Sequence, residues 1–255
     1  MSLLDPAQRS QLYQGELLTR PHLSLDFGHA VVQQIEQVFG PDPRGFVGDD
    51  FLPRLNRVRE ELSGPVWRQL CRDFLVSLGI PLDEFALDRF RLRGVAPGAD
   101  QIPAAAAAFY AHRDTWYANP QSQINLWLPL HPVSRQNSFG FYTELFDRPV
   151  ENDSEQFDYG QFQSGGGFQS TVQTLVHPRW LAANQPPPPY AVDLQPGELL
   201  LFSAAHLHRS LPNRSGLIRF SLDMRLVHRA DEMAGRGAAN CDNRSRGSVL
   251  GDYVW

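Results

Sequence analysis

At about residue 88 the hydrophobic period of the chain changes from that of a helix to that of a strand. Upstream, HAVVQQIEQVF (29–39) places apolar residues at 31, 32, 35, 38 and 39, one face of a helix. Asp49 or Asp50 is positioned to cap a second helix, FLPRLNRVREEL, which stops at Gly64. Pro65 then opens a third, PVWRQLCRDFLVSL, which ends at Gly79. Downstream the spacing alternates: DRFRLRGV, then SQINLWLPLHPV with Ile124, Leu126 and Leu128 on one face and Asn125 and Trp127 on the other. NSFGFYTELF, ELLLFSAAHLHRSL behind the Pro196-Gly197 turn, and GLIRFSLDMRLV continue the series. Helices at first, then short strands punctuated by many of the 20 Gly and 20 Pro, exclude a helical bundle. They predict a mainly β chain with packed α-helices, a sandwich or barrel.

The 255 residues suit a single domain (1–255), with a largely helical part over 1–85 and a sheet core over 86–230. Residues 147–170, polar with scattered aromatics, are expected to form a lid or substrate loop, and Pro186–Pro189 an extended stretch. The alanine run 104–108 is left without an assignment. The Arg-, Asn- and Gly-rich segment from Asp231 to Ser248 reads as the loosely held part of a C-terminal tail over 231–255, with Tyr253, Val254 and Trp255 as candidates to dock. A net charge of −5 gives no basic field for nucleic acid, and no apolar run approaches the roughly 20 residues of a membrane span. The first residues lack the basic start and apolar core of a secretory signal. Cys71 and Cys241 are too few for a disulfide framework and read as free thiols, so a cytoplasmic location is expected. All 23 basic residues are Arg, which removes every Lys-dependent mechanism.

The stretch that carries chemistry is Tyr110-Ala-His112-Arg-Asp114-Thr-Trp116. On an extended backbone His112 and Asp114 project to the same side, so an imidazole and a carboxylate approach one ion together. His208 follows 96 residues later, and Arg219 eleven residues after that, across a Pro212-Asn213 and Ser215-Gly216 turn. Two His and one carboxylate on one face of a cation make the facial triad of non-haem iron sites. An Arg one strand away is suited to clamp a carboxylate bidentately. His206 shares the i, i+2 relation with His208; the spacing to Arg219 favours His208, leaving His206 as a pocket residue.

HRD followed by PGELLLFSAAHLHRSLPNRSGLIRFSLDMR resembles the Fe(II)/2-oxoglutarate-dependent dioxygenase superfamily, in particular its phytanoyl-CoA dioxygenase-like branch. The resemblance is specific over residues 108–146 and 195–228. It implies a double-stranded β-helix (jelly-roll, cupin-like) core, with Fe(II), 2-oxoglutarate and O2 as cofactor and cosubstrates. On the same resemblance His112, Asp114 and His208 match the iron ligands, and Arg219 with Ser221 matches the partners of the 2-oxoglutarate C5 carboxylate. It implies hydroxylation of an unactivated C–H of a small molecule, with release of succinate and CO2. The carboxylate of Asp114 argues against halogenation and leaves desaturation, cyclisation or epimerisation open. The protein is expected to work as a monomer or homodimer, without nucleic acid or membrane.

Further candidates stand on strand parity. Gln123 and Asn125 share a face, where the resemblance implies an amide against the cosubstrate or the substrate; two amides facing water is the alternative. The Tyr142 hydroxyl is a further candidate to reach the cosubstrate. Trp116 and Trp127 read as core or pocket wall, with substrate contact as a candidate role. Arg93, with Arg91, either meets an anionic substrate or lies on a solvated strand face, and Arg225, six residues from Arg219, is a competing clamp. His131, His177 and His228 have no partner spacing and read as structural. The alternatives to an oxygenase are a non-catalytic metal- or ligand-binding jelly roll and a cupin-type isomerase or epimerase using another divalent metal.

Overall fold

The structure, a computed structural model, describes residues 3–21, 23–165 and 176–254. Six helices, α1 (Pro6–Tyr13), α2 (Asp26–Phe39), α3 (Phe51–Leu62), α4 (Pro65–Ser77), α5 (Tyr159–Ser164) and α6 (Arg229–Met233), accompany nine strands. The strands are β1 (Leu18–Arg20), β2 (Phe85–Leu87), β3 (Arg91–Val95), β4 (Gln123–Pro129), β5 (Phe139–Phe141), β6 (Tyr190–Ala191), β7 (Leu199–Ser203), β8 (His208–Ser210) and β9 (Arg219–His228).

The three long helices fall where the period predicts them. Val31, Ile35 and Val38 of α2, Leu55, Val58 and Leu62 of α3, and Phe74 and Leu75 of α4 are buried in one cluster. That cluster also holds Ile124, Leu126 and Leu128 of β4 and Phe220, Leu222, Met224 and Leu226 of β9. The helices therefore cover one face of a sheet with the order β1-β7-β4-β9-β2, in which β3 also pairs with β9. Every pairing in it is antiparallel. The other face of β4 and β7 contributes Trp127, Leu200 and Phe202 to a second cluster with Phe139, Phe141, Val192 and Leu194. The partner there is a small antiparallel sheet of order β6-β5-β8. Because β4 is covered on both faces, all seven of its residues are buried, although its sequence alternates like a half-exposed strand.

Three expectations need correction, and one unassigned segment is now defined. Residues 18–20 of the helical first third form β1, paired with β7. The segment ELLLFSAAHLHRSL is not one strand: β7 belongs to the large sheet and β8 to the small one, and residues 204–207 turn the chain between them. NSFGFYTELF gives only β5, followed by a 3-10 turn at Thr143–Leu145. The alanine run becomes a 3-10 helix, Pro103–Phe109.

The C-terminal segment is not a loose tail. Asp231 is buried and accepts from Arg9 Nε at 2.6 Å and Arg236 Nε at 2.9 Å, joining α6 to α1. Leu87 and Val254 pair through both backbone bonds. Gly237 permits the docking, since a Cβ there would stand 2.6 Å from the backbone of Gln121. The polar composition that suggested solvation instead supplies hydrogen-bond partners to buried groups. Within 147–165, Phe157 and Phe162 pack with Tyr117; residues 166–170 of the expected lid, Phe168 among them, lie outside the described residues. Among the described residues no helix is long and apolar enough to cross a membrane.

Candidate metal centre

His112 and His208 face each other across an antiparallel bridge. The His112 N–H donates to the His208 carbonyl at 2.9 Å, and the His208 N–H returns the bond at 3.0 Å. Two residues 96 apart in the chain are thereby held backbone to backbone, their rings 4.5 Å apart. Each ring is fixed in the same way: Nδ1 lies 2.9 Å from the carbonyl two residues earlier, Tyr110 for His112 and His206 for His208. A carbonyl only accepts, so Nδ1 carries the proton and the Nε2 lone pair faces the site.

Arg113 is extended, which carries Asp114 back to the side of His112, and Asp114 opens a 3-10 turn, Asp114–Tyr117. Asp114 Oδ1 lies 3.5 Å from His112 Nε2. Its Oδ2 accepts from Asn125 Nδ2 at 2.8 Å and lies 3.7 Å from Arg225 Nη2. One carboxylate oxygen is held by the protein and the other is directed at the imidazoles. Ligand atoms of His112, Asp114 and His208 all fall within 4.8 Å of one another, close enough for a single divalent cation.

The electrostatics suit that role. Burial raises the Asp114 carboxyl, but Arg225 and the two histidines outweigh it and hold the group well below the usual carboxylate range. Burial, then the neighbouring His112, pushes His208 down to about 4, so its ring is neutral and able to ligate near pH 7.

Arg219 and Ser221 lie on β9, on the face of the sheet that turns away from the helices. Both are buried, and Arg219 Nε and Ser221 Oγ have no hydrogen-bond partner among the described residues. The Arg219 guanidinium sits 5.9 Å from the Trp127 ring, and burial lowers it to about 10. Asp223, four residues along β9 from Arg219, is bonded to Arg93 at 2.6 Å.

Several candidates are placed differently from expectation. Gln123 and Asn125 neither face water nor point outward: Gln123 Nε2 donates to Asn125 Oδ1 at 2.7 Å, and Asn125 holds Asp114. The Tyr142 hydroxyl donates to the Pro186 carbonyl at 2.8 Å. His206 is buried with its ring nitrogens at the carbonyls of Ser203 and Gly15, both 3.1 Å away, because a turn at 204–207 breaks the parity that would have aligned it with His208. The Trp116 indole donates to Asp242 at 2.8 Å, which places it in the core, one of its two expected settings, and away from substrate. Arg225 sits beside Asp114 and is not a rival clamp. Arg93 is tied to Asp223, and Arg91 to Asp88. Trp127 lies between the sheets against Phe139.

Two supporting residues carried no signal beyond the middle letter of HRD and one acid in a polar tail. Arg113, fully buried, points away from the metal side. It donates to the carbonyls of Leu145, Phe146, Arg148 and Ala205 and to Asp242. Asp242 thus grips the H-x-D stretch from behind through both Arg113 and Trp116.

No protein-family model matches the chain, and no curated protein matches it. Among solved structures it superposes on EvdO2 from Micromonospora carbonacea var. aurantiaca with a TM-score of 0.50 at 13% identity, over 89% of this chain and 94% of that one. It superposes on the apo form of ThoJ, a non-heme monooxygenase, with a TM-score of 0.50 at 11% identity, over 86% of this chain and 76% of that one. The chain shares the fold of these two proteins.

Proposed function

We propose that the protein is a non-haem Fe(II)- and 2-oxoglutarate-dependent oxygenase with a double-stranded β-helix core, hydroxylating a small molecule. The observation that carries this reading is the pairing of a convergent His112, Asp114, His208 group with a buried Arg219 Nε and Ser221 hydroxyl that have no hydrogen-bond partner among the described residues. Buried donors left without a hydrogen bond are costly, and these are accounted for if a ligand anion completes them. The donor set fits: two neutral imidazoles and one carboxylate leave an octahedral cation three open positions. The likeness in fold to the non-heme monooxygenase ThoJ supports the same reading.

In this reading His112, Asp114 and His208 hold the iron, and Arg219 with Ser221 receives the far carboxylate of 2-oxoglutarate. The bound iron with 2-oxoglutarate and O2 supplies an oxidant able to take hydrogen from an unactivated C–H, releasing succinate and CO2. The chain's part is positional. The two Nδ1–carbonyl contacts keep both Nε2 lone pairs on the metal, and Asn125 and Arg225 keep Asp114 to one ligating oxygen. Trp127 and Phe139 exclude water between the sheets beside Arg219.

The test is anaerobic titration of Fe(II)-loaded protein with 2-oxoglutarate. A visible charge-transfer band should develop, and should be lost in His208→Ala and Arg219→Leu. Absence of the band from the wild-type protein, together with no succinate formation, would refute the assignment and favour a non-catalytic or isomerase role.

A further inference from the structure

Asp114 is the end of a hydrogen-bonded chain that begins in the C-terminal segment. The Tyr253 hydroxyl donates to Gln123 Oε1 at 2.7 Å, Gln123 Nε2 donates to Asn125 Oδ1 at 2.7 Å, and Asn125 Nδ2 donates to Asp114 Oδ2 at 2.8 Å. The relay has a fixed direction. The terminal carboxylate only accepts, so Asn125 must present its NH2 to it, which turns the Asn125 oxygen toward Gln123. Gln123 must then present its own NH2, which leaves its oxygen for a donor, and the phenol is that donor. Tyr253, Gln123 and Asn125 are all buried, so water does not substitute for a missing member. Removing the phenolic hydroxyl frees the Gln123 amide to flip. A flipped pair would set the Asn125 oxygen against the Asp114 oxygen with no proton between them.

We infer that the C-terminal segment is a working part of the metal centre: Tyr253, acting through Gln123 and Asn125, is a positioning residue that keeps Asp114 a one-oxygen ligand. This rests on the metal-centre reading above. Docking of the segment is what brings the phenol into place. Val254 pairs with Leu87 through bonds of 2.9 and 3.1 Å, and Tyr253 packs with Ala86, Val227 and Val249. The β4–β9 register then places Asn125 opposite Arg225, so the relay and the guanidinium converge on the same carboxylate oxygen. The segment therefore reports its own docking to the ligand sphere.

The experiment is titration of the metal-free full chain with Co(II), following affinity and the visible d–d spectrum, alongside thermal melting without metal. Tyr253→Phe keeps the ring and removes the donor. It should weaken Co(II) binding about tenfold, the range expected for a partner of a metal ligand, and alter the d–d spectrum. Gln123→Met should weaken it at least as much, and the double variant should bind no worse than Gln123→Met alone, because a relay already broken is not broken twice. Val249→Ala loosens the packing around the Tyr253 ring and leaves every donor and acceptor of the relay in place. It should lower the melting temperature while keeping wild-type affinity and spectrum. Wild-type affinity and spectrum in both Tyr253→Phe and Gln123→Met would overturn the inference, as would equal losses in Val249→Ala, which would reduce the segment to a structural strap. Failure of the wild-type chain to bind Co(II) would instead overturn the metal-centre reading on which the inference stands.

Discussion

Replacing Arg219 with Leu should make the metal-free protein more stable. The guanidinium is buried and its Nε has no hydrogen-bond partner among the described residues. Burial lowers its pKa from the ordinary arginine value to about 10, which corresponds to a cost of about 3 kcal/mol for keeping the group charged in the folded state. The sign follows from proton linkage. The unfolded chain holds this proton more tightly than the folded one, so below pH 10 the charge works against folding. Leucine removes that cost and loses the contact with Trp127, worth about 1 kcal/mol. The net gain is about 2 kcal/mol, or about 4–8 °C in melting temperature for a chain of this size. The assay is thermal and urea unfolding of metal-free wild type and variant, repeated with metal and 2-oxoglutarate. Ligands should stabilise the wild type and leave the variant almost unmoved, reversing the order. A variant less stable than wild type without ligands would refute the reasoning, because it would mean that Arg219 is satisfied inside the fold. A stabilised variant that still responds to 2-oxoglutarate would assign the orphaned cation some other ligand.

Three further outcomes are expected. Asp242→Ala leaves the buried Arg113 without its counter-ion and the Trp116 indole without its acceptor, so unfolding free energy should fall by about 3–5 kcal/mol; a loss under about 1 kcal/mol in urea titration would contradict the anchoring role. Gly237→Ala drives a methyl group into the backbone of Gln121 and Ser122, and should expose the C-terminal segment to limited proteolysis at protease concentrations that leave the wild type uncut. Burial, the largest cause in each case, pushes His131, His206 and His208 down to about 4, with cationic or histidine neighbours adding to it. The unfolded chain takes up protons on these groups from about pH 6.5, so metal-free stability should be intact above that pH and fall as pH drops toward 4. A urea midpoint that stays flat between pH 6.5 and 4 would contradict the burial of these rings.

The sequence by itself determined the local features. Helix period, the Pro65 start and the Gly79 stop are written within a few residues of one another, and the structure places α2, α3 and α4 accordingly. Alternation in β4 likewise announced which side chains share a face, and the H-x-D and His-to-Arg spacings named the residues whose side chains the fold then assembles. What the tertiary structure alone decided are the relations between distant segments. The break at residues 204–207 moves His208 into the small sheet opposite His112 and turns His206 away, and no periodicity within that segment signals it. Gln123 and Asn125 are polar residues on a fully covered strand, so their partners, Tyr253 and Asp114, come from elsewhere in the chain. Asp242 lies in a stretch whose composition suits solvent, and Tyr253 follows it as a candidate to dock with no partner named; both satisfy buried donors and acceptors around the H-x-D region. The physical reason is common to all of these. Hydrophobic period records how a segment meets its nearest layer, whereas a buried hydrogen bond records which two segments meet, and only closure of the sheets and docking of the C-terminal segment bring those groups within bonding distance.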